Sequence, residues 1–173
     1  MKQTFVVLLC LAVMSIAVPE TCRSEGNAMK ISSPAFSDDG MIPPKYTCQG
    51  SDINPQLDIS EIPPNTKTLA LIVDDPDAPS GDWVHWVLFN VAVTNRILEN
   101  SAPGILGRND FGRNTWGGPC PPSGTHRYLF KIYSLDTALE LRAGATKKDL
   151  EKAMAGHILG KAVLTGLYKR IIF

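Results

Sequence analysis

Residues 68–93 read TLALIVDDPDAPSGDWVHWVLFNVAV, and the two apolar runs flanking the Asp-Pro loop decide the fold class. Thr68 to Val73 is an unbroken apolar run that ends on Asp74 and Asp75, the pattern of a strand buried on both faces. Asp75-Pro76-Asp77-Ala78-Pro79-Ser80-Gly81 cannot extend a ladder, because its prolines lack the N–H donor. The chain must turn out of the sheet there and resume at Trp83. From Trp83 to Val93 a period of two sets Trp83, His85, Val87 and Phe89 on one face, and Val84, Trp86, Leu88 and Asn90 on the other. His85 therefore sits among large apolar side chains.

Working outward, Met29 to Phe36 forms a first strand and Ser37-Asp38-Asp39-Gly40 a turn by composition. Met41 to Pro64 is irregular. It carries Pro43, Pro44, Pro55, Pro63 and Pro64, and only the alternation Leu57-Asp58-Ile59 suggests pairing. Thr94 to Thr125 is loop-like, with Asn-Asp-Phe-Gly at 109–112 and a Gly/Pro cluster from Gly117 to Gly124. Arg127 to Leu135 is the third clear strand. Thr146 as N-cap and Asp149 three residues on make a capping box, ahead of the stripe Leu150, Ala153 and Met154; this helix stops near Gly156. Ala162 to Phe173 reads as a closing strand. The sum is one mainly β domain over residues 29–173, with one or two short helices.

Composition narrows the function classes. The chain has 173 residues, 44% of them hydrophobic, enough for one buried core. Seventeen basic and 17 acidic side chains cancel, so no long-range field draws nucleic acid or an anionic membrane surface. An anion must be held locally. No P-loop, dinucleotide fingerprint or Gly-x-Ser-x-Gly elbow occurs.

Lys2 precedes an apolar run from Phe5 to Val18, shorter than the roughly 20 residues that span a bilayer. It reads as a signal peptide over residues 1–17, cleaved after Ala17 or, given Pro19, as late as Ala28; an uncleaved anchor is the alternative. Export makes the protein secreted or periplasmic and exposes Cys22, Cys48 and Cys120 to oxidising conditions. Cys22 lies in a polar leader, which leaves Cys48 with Cys120 as the candidate disulfide. It would close a loop of about 72 residues, worth about 4 kcal/mol by chain entropy. The alternative is two buried thiols.

Asp75 to His85 and Gly117 to Tyr128 combine ionisable groups with rigid turns, and each carries a histidine. If the strands bearing His85 and His126 are neighbours, both imidazoles can enter one cavity rimmed by Asp75, Asp77 and the glycine loop. Two imidazoles and the N–H groups of Gly117 and Gly118 would be donors to a small anion. Asp75 would repel a bare dianion, so the ligand should carry a proton or an amine. Zinc held by His85, His126, Asp75 and Cys120 lacks metal-motif spacing. Ser123 near His126 lacks a turn that would expose it for hydrolysis, and His157 is placed to interact with the helix C-terminal dipole.

Asp75-Pro76-Asp77-Ala78-Pro79 with Trp83-Val84-His85-Trp86, and Gly118-Pro119-Cys120-Pro121-Pro122-Ser123-Gly124-Thr125-His126-Arg127-Tyr128, resemble the two signature regions of the phosphatidylethanolamine-binding proteins, also called Raf kinase inhibitor proteins. The resemblance covers about Met29 to Arg170 and is nearest to the bacterial and archaeal branch. It implies a large antiparallel central sheet, a smaller second sheet and few helices. It also implies a non-catalytic pocket for phosphate-bearing or other small anionic ligands, without cofactor or metal, lined by Asp75, Asp77, Trp83, His85, Gly118, His126 and Tyr128. Val84 stands where animal members have the first of two adjacent histidines. The rival function is inhibition of a serine protease or a kinase pathway through a surface loop, and a pocket hydrolase is a third.

Overall fold

A computed structural model describes residues 28–171. The expected signal peptide, residues 1–17, lies outside them. The elements are β1 (Lys30–Ser32), β2 (Gly40–Met41), β3 (Leu57–Ser60), β4 (Thr68–Asp75), β5 (Trp83–Ala92), β6 (Arg96–Ile97), β7 (Ile105–Leu106), β8 (Thr125–Leu135), α1 (Lys147–Met154) and β9 (Ile158–Lys169). They form a six-stranded sheet in the order β2-β9-β8-β4-β5-β7 and a three-stranded sheet in the order β1-β3-β6. Every pairing is antiparallel except the short edge contact of β2 with β9.

β4 is the middle of the large sheet, and all eight of its residues are buried. Its alternation divides the interior into two apolar layers. Leu69, Leu71 and Val73 face the small sheet, packing with Leu57, Ile59 and Ile97, while Ala70 and Ile72 face Leu150 and Met154 of α1. A strand with both faces covered reads as a continuous apolar run because it has no wet side.

β5 departs from the expected period of two. Val73 pairs Trp86 and Asp74 pairs Val84, so His85 is an extra residue in the ladder; a second extra residue falls between Leu88 and Val91. Each bulge reverses the alternation. Trp86 and Leu88 face the small sheet, while Val84, Val87 and Phe89 face α1. The expected grouping of His85 with Val87 and Phe89 therefore fails beyond the first bulge. At the second, Asn90 takes φ +51°, a conformation asparagine tolerates, and its side chain bonds both backbone groups of Leu139.

The capping box of α1 is present: Thr146 Oγ1 accepts from Asp149 N–H, and Asp149 Oδ2 accepts from Thr146 N–H. The closing strand starts at Ile158, four residues before the expected Ala162. The His157 ring is engaged with Asp136 at 2.8 Å, while its backbone N–H donates to the Met154 carbonyl at the helix end at 2.9 Å. The stretches read as loop contain the two-residue strands β2, β6 and β7, too short to leave a periodic signal.

Candidate functional site

β4 stops at Asp75 because Pro76 offers no donor to a neighbour. There Asp75 Oδ1 accepts the N–H of Asp77 at 2.9 Å, the local turn that an aspartate before a proline favours. Asp75 and Asp74 point to opposite faces, as successive strand residues must. Asp75 opens toward the start of β5 on one side and of β8 on the other. A cavity of about 210 Å³ lies at this corner, with Asp75, Trp83, His85, His126 and Tyr128 in its wall.

The strands carrying His85 and His126 are not neighbours, because β4 runs between them. The imidazoles nevertheless reach one cavity. β8 sends His126 and Tyr128 to the same face, and the bulge in β5 turns His85 toward Tyr128, with ring centroids 5.1 Å apart and edge to face.

Each ring is fixed through Nδ1. His85 Nδ1 lies 2.6 Å from the Gly117 carbonyl, which can only accept, so Nδ1 carries the hydrogen and Nε2 presents a lone pair. Burial, outweighing the Gly117 bond, lowers the affinity of His85 for a second proton. Its neutral form is thereby favoured. His126 Nδ1 lies 2.7 Å from Asp75 Oδ2, and both side chains are buried. Nε2 of neither ring is in a hydrogen bond among the described residues. The Tyr128 hydroxyl is buried without a protein partner among them, and burial together with the charge of Asp75 raises its proton affinity.

Two expected lining residues are elsewhere. Asp77 is joined to Arg127 by its Nη2 at 2.6 Å and its Nε at 2.9 Å, and also accepts the Arg127 backbone N–H. These bonds hold its carboxyl at about 2. Asp77 thus staples the loop to β8 from outside the cavity. Gly118 donates its N–H to Asp52 Oδ1 at 2.7 Å, and Gly117 donates to the His85 carbonyl at 3.1 Å. Neither N–H is available to an anion. Gly118 is required by close packing: a Cβ there would stand 2.6 Å from the Tyr46 carbonyl oxygen.

Cys48 and Cys120 form a disulfide, with Cα atoms 5.5 Å apart, which closes the alternative of two buried thiols. It also removes Cys120 as a zinc ligand, and no group of three or more His, Cys, Asp or Glu placed to hold a metal occurs among the described residues.

Residues 32–169 match the sequence model of the family described as phosphatidylethanolamine-binding protein. The chain belongs to the phosphatidylethanolamine-binding protein family. Relatives place it in the bacterial and archaeal branch. It is 49% identical over 150 residues to a UPF0098 protein of Methanothermobacter thermautotrophicus, covering 82% of this chain and 99% of that one. It is 50% identical over 153 residues to a UPF0098 protein of Pyrococcus abyssi, covering 82% and 85%. Among solved structures, a Chlamydia trachomatis protein described as a homolog of the phosphatidylethanolamine-binding proteins superposes with TM-score 0.81 at 41% identity, covering 84% of this chain and 99% of that one. Escherichia coli YbcL, described as a new member of the mammalian family, gives 0.77 at 25% identity, covering 83% and 99%.

In this member of the phosphatidylethanolamine-binding protein family, Phe111 completes the wall, 5.3 Å from the His85 ring and 5.5 Å from that of Trp83. Sequence reasoning read its Asn-Asp-Phe-Gly segment only as part of a loop. The signal was an aromatic residue within a polar loop, and it is held there by its neighbour's bonds to β5. Asp110 bonds both backbone groups of Val84, which laces the turn to the bulged start of β5. Ala78, Pro79 and Ser80 line the opposite rim, with Pro121 and Pro122 beside Cys120. Ser123 lies in the wall of a separate groove with Met41 and Tyr168.

Proposed function

We propose that this cavity binds a small, monoprotonated anionic group, with a phosphate monoester as the fitting class, and that it does so without catalysis. The observation that carries the reading is the convergence of two imidazoles, each tied at Nδ1, with Nε2 left for a ligand. Neutral His85 accepts a hydrogen bond at Nε2, so it suits the P–OH of a monoprotonated phosphate. His126 in its imidazolium form donates from both nitrogens, Nδ1 to Asp75 and Nε2 to a phosphate oxygen. The requirement for a proton on the ligand thus moves from Asp75 to His85. A volume of about 210 Å³ suits a head group and is below the roughly 300–1,000 Å³ of drug-sized sites.

Absence of turnover is part of the proposal: Ser123, the serine weighed as a nucleophile in the sequence, lies outside the cavity, and Ser80 is the serine on its rim. The His126–Asp75 pair has the form of a general-base dyad, but the hydroxyl expected beside it lines another groove. Export is part of the same proposal, since a disulfide with an exposed Cys48 suits an oxidising compartment.

Calorimetric titration with inorganic phosphate and O-phosphoethanolamine tests the pocket. Wild type binds, and His85→Ala and His126→Ala lose binding while keeping the native circular dichroism spectrum. Unchanged affinity in both folded variants rejects the reading. Intact-mass analysis of protein recovered from outside the cytoplasm tests export through the mature N-terminus.

A further inference from the structure

Asp74, the neighbour of Asp75, is fully buried on the opposite face of the sheet. Its Oδ2 accepts from two ammonium groups, Lys131 Nζ at 2.7 Å and Lys147 Nζ at 2.6 Å. A buried carboxylate is tolerated only when paired. Lys131 already supplies one unit of positive charge, so the second lysine is not needed to neutralise Asp74. Lys147 makes a further bond, to Asp82 Oδ2. Asp82 is the last residue of the loop that leaves β4 at Pro76 and the residue immediately before Trp83.

We infer that Lys147 is a positioning residue for the ligand cavity, clamping the end of the rim loop to the buried carboxylate of β4 and so fixing both the rim and Trp83.

The loop has few other ties. Ala78, Pro79 and Ser80 line the cavity, and residues 79–82 are exposed. Within that segment a turn bond from Gly81 N–H to the Ala78 carbonyl is internal. Among the described residues, the Asp82–Lys147 bond is the one side-chain link between residues 78–82 and the rest of the protein. The other end of the loop is held separately, by Asp77 on Arg127.

Helix electrostatics point the same way. Lys147 is the first residue of α1, where the helix dipole disfavours a cation. An acidic or neutral residue would serve the helix better. The side chain is instead mostly buried, at 16% exposure, and bridges two carboxylates on different elements. α1 is thereby coupled to a cavity on the far face of the sheet, through β4, whose Asp74 and Asp75 point to the two sides.

This inference rests on the anion-binding reading for its effect on affinity, but the clamp itself is measurable without ligand. Hydrogen exchange of the segment covering residues 78–83 is compared in wild type, Lys147→Met, Lys147→Arg and Asp82→Asn, with titration of each by inorganic phosphate. Asp82 is exposed and its amide variant leaves Asp74 paired, so that variant keeps the test clear of misfolding. Exchange is expected to quicken several-fold in Lys147→Met and Asp82→Asn, phosphate affinity to fall on the order of tenfold, equivalent to about 1.4 kcal/mol, and Lys147→Arg to restore both. Unaltered exchange in Lys147→Met and Asp82→Asn overturns the clamp. Faster exchange with unaltered affinity overturns its positioning role. If wild type binds no phosphate, the anion reading fails, and the exchange comparison alone decides the clamp.

Discussion

His126 and Asp75 come from strands paired side by side, and their side chains meet in the cavity wall with Nδ1 2.7 Å from Oδ2, both nearly closed to solvent. The pair orients the ring and sets a carboxylate beside it, whose charge in the proposed complex would support donation from the ring to the ligand. Asp75→Asn keeps an acceptor oxygen but removes that charge. Phosphate affinity, measured by calorimetry near neutral pH, should drop about tenfold or more, as expected when a charge-assisted bond becomes a neutral one. Equal affinity would mean that His126 does not act as a donor.

The pH dependence of folding reports on His85. Burial depresses its pKa below the ordinary value of 6.5, so the unfolded chain takes up a proton at a pH where the folded chain does not. Stability must then fall as pH drops through about 6.5, and the loss levels off below the folded-state value. Urea midpoints at about pH 7.5 and about pH 5.5 should show a drop in wild type that is smaller in His85→Gln, which can still donate to the Gly117 carbonyl. The same drop in both proteins would place His85 in a wetter setting than its contacts indicate.

Opening the Cys48–Cys120 bridge removes a cross-link spanning 72 residues. Chain entropy puts the loss at about 4 kcal/mol, a large share of an ordinary domain's stability. Urea unfolding of the Cys48→Ser, Cys120→Ser double variant should show this loss, and wild type with excess dithiothreitol should match it. A midpoint unmoved by either treatment argues that the bond is absent in solution.

Gly118→Ala separates packing from binding. The added methyl would lie 2.5 Å from Asp52 Oδ1, 2.6 Å from the Tyr46 carbonyl and 2.8 Å from Thr47 Cα. Two of these are backbone atoms that cannot swing aside, so overpacking should cost about 1–3 kcal/mol. The result expected is a lower thermal midpoint with phosphate affinity nearly kept. Full stability with lost affinity would restore Gly118 as a direct ligand contact.

How much was legible in the sequence depended on whether a feature was local. β4, β8 and the capped helix were readable because burial on two faces, a long apolar alternation and the Thr146–Asp149 spacing each leave a short-range pattern. The cavity was approached through the Asp75 and His126 segments, whose prolines and glycines mark rigid turns. Chain order alone hid which backbone donors were already taken. Gly117 and Gly118 look free until Asp52 and the His85 carbonyl are brought against them. Phe111 and Lys147 escaped notice for the same reason, since Phe111 packs on the start of β5 and Lys147 bonds the rim loop, each far from it in the chain. Asp77 was expected in the cavity wall, and its carboxylate is instead paired with Arg127.

The paired bulges of β5 work like a frameshift and its suppressor. The extra residue at His85 puts Trp86 to Phe89 out of phase with the start of the strand, and the one at Asn90 restores the original reading, so Val84 and Val91 face the same ways as in an uninterrupted strand. A deletion of His85 or Asn90 alone would heal that bulge and leave every remaining side chain of the strand in its present layer, whereas a deletion between the two would put the stretch out of phase. Deleting both would leave a regular strand that still sends Trp86 and Leu88 to the small sheet and Val87 and Phe89 toward the helix, but with the histidine lost from its corner.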